Sequence, residues 1–104
     1  MTDEPSTDVW RYRFLMSGLG TDSEARLDLD ESLRPLVEGL VDLQILPVNH
    51  GVQVDLALRP IERYDRDAFE AYLHDQVLIP VGRSMLGARA DELSITPLQA
   101  RSRG

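Results

Sequence analysis

Cysteine is absent from the 104 residues, and so is lysine; all 11 basic residues are arginine. Without cysteine there is no disulfide framework, no thiolate-bound zinc, no thiol nucleophile and no iron–sulfur site. Without lysine, Schiff-base chemistry and the phosphate-binding lysine loop fall away. Two histidines, His50 and His74, are too few for a three-histidine metal site. No apolar run approaches the roughly 18 residues needed to cross a bilayer. The opening residues Met1 to Asp8 are acidic and polar where a secretory signal needs a basic region and an apolar stretch, so the expected compartment is cytoplasmic. Positive charge is also short: 18 acidic residues leave a formal charge of -7. A surface of that sign repels phosphate backbones and anionic lipid, which argues against nucleic acid or a membrane as partner.

What remains is sufficient for one domain. A hydrophobic content of 42% supports a packed core, and a chain of this length buries roughly two-thirds of its unfolded surface. Residues 1–8 and 99–104 have the composition of disordered tails, the second carrying Arg101 and Arg103. A single domain is expected over 9–98.

Within it, Trp10 to Met16 alternates strictly, with Trp10, Tyr12, Phe14 and Met16 on one side and Arg11 and Arg13 on the other. Ala25 to Asp30 alternates as well. Folded back as a hairpin, the two segments set Phe14 against Leu27, Tyr12 against Leu29, Arg13 against Asp28 and Arg11 against Asp30. Leu33, Leu36, Val37, Leu40 and Val41 then follow helical spacing, with Ser32 as N-cap and Pro35 in the first turn. A second hairpin is expected from Leu43–Val48 and Val52–Leu58 around Asn49-His50-Gly51, with Leu46 facing Val54 and Val48 facing Val52. A second helix runs from Arg66 to Val77, capped by Asp65 and stapled by Tyr64 and Phe69. Residues 78–91 read as a long loop or a short helix around Ser84 to Ala90. Leu93 to Leu98 closes the domain as a strand. Pro47 and Pro97 cannot donate to a ladder, so their strands belong at sheet edges. The order ββαββαβ predicts an α+β two-layer sandwich, a ferredoxin-like variant with a mostly antiparallel sheet of about five strands and both helices on one face.

No catalytic constellation emerges. Gly18-Leu19-Gly20 lacks a third glycine and a following helix, which makes it a hairpin loop and not a phosphate cradle. Asp28, Asp30, Glu31 and Asp55 do not match a calcium loop and are expected to pair with Arg11 and Arg13, so neither a metal nor a cofactor is implied. His50 reads as a solvated turn residue and His74 as an exposed residue on the polar side of its helix. The sheet face away from the helices is the expected interaction surface: Arg11, Arg13, Leu15, Arg26, Asp28, Asp55, Ala57 and Arg59 mix both charges with apolar side chains. Arg83, Ser84 and Arg89 in the 78–91 segment form a possible anion clasp. These features favour a non-catalytic protein-interaction or regulatory module working through its sheet face or an edge strand, most simply as a homodimer. The alternative is a small enzyme or ligand-binding domain that uses the 78–91 segment with a histidine base; it requires a pocket where a histidine and Arg83 or Arg89 converge. An RNA-binding sheet would need Trp10, Tyr12 and Phe14 outside the core.

Overall fold

The computed structural model describes residues 9–98; both expected tails lie outside the described residues. Four strands form one antiparallel sheet: β1 (Trp10–Ser17), β2 (Leu40–Val48), β3 (Gly51–Leu58) and β4 (Ser94–Leu98), in spatial order β2-β3-β1-β4. Helix α1 (Ser23–Leu33) connects β1 to β2. A longer helical run connects β3 to β4, made of α2 (Arg66–Tyr72), a π-helical turn (Leu73–Leu78), α3 (Ile79–Leu86) and 3-10 turns (Gly87–Glu92). The chain is therefore a two-layer α+β sandwich. Its order, βαββαβ with β1 and β3 at the centre of the sheet, is the ferredoxin-like one, built from two interleaved βαβ units.

The strict alternation of β1 survives intact: Tyr12, Phe14 and Met16 are buried, and Arg11, Arg13 and Leu15 face away from the helices. Val52, Val54, Leu56 and Leu58 continue the buried face on β3. Leu29 and Leu33 from α1 and Phe69, Leu73 and Val77 from the helical run cover it. The two prolines behave as their chemistry requires. Pro47 lies on β2 and Pro97 on β4, the two edge strands. Asp65 caps α2 by accepting the Ala68 N–H at 2.7 Å, and the Tyr64 and Phe69 rings sit 5.1 Å apart in the expected staple. The Tyr12 hydroxyl donates to the Arg66 carbonyl at 2.8 Å, and Arg66 Nη2 donates to the Arg11 carbonyl, so the start of α2 is tied to β1 from both sides. Burial pushes the Tyr12 phenol up to about 12, against the nearby Arg66 guanidinium.

Five expectations are corrected. There are four strands among the described residues, because Ala25 to Asp30 is helical; it lies in α1, and β1 pairs with β3 and β4 instead. Asp22 supplies the reason: its side chain accepts the Ala25 N–H at 3.1 Å and starts a helix where alternation alone suggested a strand. The expected helix from Leu33 is reduced to a single 3-10 turn, Arg34–Leu36, because Gly39 adopts φ 73° and the chain turns into β2. The second hairpin has a two-residue loop, Asn49-His50, and its register is one residue away from expectation. Ile45 opposes Val54 and Pro47 opposes Val52. That slip moves Leu46 and Val48 to the face away from the helices. Finally, residues 78–91 are helical almost throughout. Pro80 has no N–H and its ring would strike the Gln76 carbonyl of a regular α-helix; the π-helical turn before it, closed by Ile79 N–H to the His74 carbonyl, accommodates the ring.

Candidate interaction surface

The open sheet face is read from the strand registers. Its rows run Asp42–Ala57–Arg11, then Gln44–Asp55–Arg13–Leu98, then Leu46–Gln53–Leu15–Thr96. On the two central strands, Arg13 lies directly across from Asp55. Nε to Oδ1 is 2.9 Å and Nη2 to Oδ2 is 3.3 Å, a two-pronged contact that also takes the Gln53 amide at 3.3 Å. Both partners are partly solvated, so this pair contributes well under 1 kcal/mol to folding. Beside it Ala57, only 5% exposed, floors a dent of about 190 Å³ rimmed by Arg11, Arg13, Asp42 and Gln44. Leu46 is 41% exposed on the same face, and Leu15 and Leu98 are half-buried.

Of the residues expected here, Arg11, Arg13, Leu15, Asp55 and Ala57 share the face, and Arg59 lies one residue beyond the end of β3 with its N–H bonded to the Gly39 carbonyl. Arg26 and Asp28 do not belong to it. They sit on α1, where Arg26 Nε reaches the Thr21 carbonyl at 3.1 Å. Arg13 therefore takes Asp55 as its acid and not Asp28. Asp42, Gln44, Leu46 and Leu98 complete the face; Gly39 followed by β-branched Val41, Ile45 and Val48 was the signal for the strand that carries the first three. The face carries Arg11 and Arg13 against Asp42 and Asp55, formally neutral. Among the described residues the helical elements carry a net charge of -4, and the connecting segments with Asp22, Glu38, Arg59, Glu62, Arg63 and Asp65 a further -2. Of the carboxylates expected to pair with Arg11 and Arg13, only Asp55 meets Arg13; Asp30 pairs instead with Arg34 at 2.6 Å, on the helical side of the sheet. Among the described residues no group of acids and histidines is placed to hold a metal ion. No helix among them is long and apolar enough to cross a membrane. Tyr12 and Phe14 are buried at 3% and 0%, out of reach of a nucleic-acid base.

The 78–91 segment contributes a second feature. Arg83 and His74 line one groove of about 270 Å³ between α3 and β4, together with Asp91 and apolar side chains. Ser84 is exposed on α3 and Arg89 is bonded to Glu92, so the expected three-residue clasp is not assembled. His50 sits in the exposed β2–β3 turn. His74 is only 27% exposed, not the solvated residue expected: Nδ1 meets Asp75 at 2.8 Å and Nε2 meets the Ile95 carbonyl at 3.0 Å. Two acceptors on one ring favour the doubly protonated imidazolium. The Asp75 carboxylate is the main cause of the raised pKa, burial opposes it, and the Ile95 carbonyl adds to it. Both ring nitrogens face an acceptor, so the ring is a strut between the helical layer and β4.

Comparison with family models, curated proteins and solved structures finds no match. The strut itself makes a prediction. The stabilisation from His74 is fully present below pH 6.5, where the ring is protonated in folded and unfolded chains alike, and is lost as the pH rises through the higher folded value. Unfolding free energies from urea denaturation are expected to fall over that window by about 1 kcal/mol or less, and His74→Gln is expected to flatten this slope.

Proposed function

We propose that this chain is a non-catalytic protein-interaction module that acts through its open sheet face, with a second copy of itself as partner. The observation that carries the reading is a near-neutral face with exposed leucine on an otherwise acidic molecule. Two chains of charge -7 repel each other except where that face is presented. The row Asp55–Arg13 supplies self-complementarity: a two-fold axis lying between β1 and β3, parallel to the strands, sets Arg13 of each copy over the partner's Asp55. Four strands about 4.8 Å apart and about eight residues long give a face of roughly 500 Å². That is below the roughly 800 Å² per partner of a stable complex, so the dimer is expected to be reversible. A fold held by its core without cysteine suits the cytoplasm, and the acidic exterior disfavours nucleic acid. The enzyme alternative has less support, because His74 has no free ring nitrogen to act as base.

The test uses charge exchange. Arg13→Asp and Asp55→Arg are each expected to weaken self-association at least tenfold in sedimentation. Mixed in equal amounts, the two variants should re-associate, since each then meets its opposite charge across the interface. A wild-type chain that stays monomeric at high micromolar concentration, or variants that associate normally, would overturn the reading.

A further inference from the structure

We propose that the groove between α3 and β4 binds a free α-amino acid with an apolar side chain. It is a different site from the open sheet face. Two opposite charges line it, Arg83 and Asp91, and they do not pair: among the described residues neither makes an ion pair or a side-chain hydrogen bond. Ile79, Leu93 and Ile95 are apolar residues lining the same groove. At about 270 Å³ the groove falls below the usual range of roughly 300–1,000 Å³ for drug-sized ligands, which admits a single amino acid and excludes a nucleotide.

The charges decide among small ligands. A simple carboxylate would satisfy Arg83 but lie beside Asp91, and it would approach a molecule of charge -7 against the field. A simple amine would leave Arg83 without a partner and face its repulsion. A zwitterion is neutral overall and satisfies both: Arg83 takes the α-carboxylate in its planar fork, and Asp91 takes the α-ammonium. His74 adds no hydrogen bond, since Asp75 and the Ile95 carbonyl occupy its ring nitrogens, but it fixes the groove by holding β4 to the helical run.

The test compares leucine with two truncated forms, 4-methylpentanoate (no amine) and isoamylamine (no carboxylate), followed by methyl NMR of Ile79, Leu93 and Ile95. Leucine should shift these methyls and bind at least tenfold tighter than either truncated form. Arg83→Gln should weaken leucine at least tenfold, and Asp91→Asn should narrow or reverse the preference for leucine over 4-methylpentanoate. Both side chains are exposed, so both variants should keep the wild-type melting temperature. Because the comparison of three ligands uses the unaltered chain, a folding defect in either variant leaves it standing. The proposal is overturned if none of the twenty amino acids shifts those methyls at millimolar concentration, if leucine and its truncated forms bind alike, or if Arg83→Gln binds as well as wild type.

Discussion

Gly51→Ala is expected to destabilise the protein by about 3–5 kcal/mol, against the roughly 5–15 kcal/mol that a domain of this size holds in total. Two penalties coincide. Gly51 has φ 156°, a conformation that residues with a side chain rarely adopt. An added Cβ would also overlap the Met16 carbonyl oxygen and lie 2.9 Å from Ser17 Cα. Both obstacles are backbone of β1, the strand that Gly51 pairs with, so relief requires the two central strands to separate. Gly82 is the control. A Cβ there would meet the ends of the Leu93 and Met16 side chains at 2.9–3.2 Å, which can rotate away, and alanine is a better helix former by about 1 kcal/mol. Urea denaturation should find Gly82→Ala close to wild type and Gly51→Ala far below it. Similar midpoints for the two would mean that the β2–β3 turn does not press on β1 as described.

Gly51 also shows how far the sequence could be read. A glycine after Asn-His marks a hairpin, and the hairpin is there. The turn has two loop residues and not three, however, because contact with β1 fixes the register and that contact is invisible to local pattern. The same division holds elsewhere. Arg11, Arg13, Leu15, Asp55 and Ala57 could be assigned to one face because β1 and β3 sit at the centre of the sheet, with one side buried and strict alternation. The edges followed from the prolines, since a missing N–H is a property of the residue alone. Asp42 was hidden because Leu33 to Val41 satisfies helical spacing, and Gln44 and Leu46 because the expected hairpin register was one residue off and turned them inward. The glycine at 39 overrides that spacing, and the apolar positions serve a 3-10 turn and a strand in turn. In the groove, Arg83 and His74 are nine residues apart, and what brings them to one side of the helix is a π-helical turn that shifts its face. No periodicity rule anticipates that turn, although Pro80 is its chemical cause.

Phe14→Ala is expected to cost about 3–5 kcal/mol, and Leu27→Ala less than about 0.5 kcal/mol. Phe14 is fully buried on the central strand, with Val54 and Pro97 opposite it on the two neighbouring strands and the His74 ring 6.3 Å away. Nothing around it is positioned to fill the space of the lost ring, because the sheet holds its neighbours on both sides. Leu27 is 57% exposed on α1, so truncating it removes little contact. The contrast tests the largest correction. Paired as a hairpin, residues 10–16 and 25–30 would put Phe14 and Leu27 face to face in one core, and each truncation would then cost several kcal/mol. In the helix, the burden passes to Leu29 and Leu33, one turn apart and at 1% and 0% exposure, where alanine should cost about 2–5 kcal/mol each. Denaturation midpoints that rank Phe14, Leu29 and Leu33 together and leave Leu27 with the wild type are the expected outcome. A large loss at Leu27 would return that segment to the sheet and remove Asp55 as the partner of Arg13.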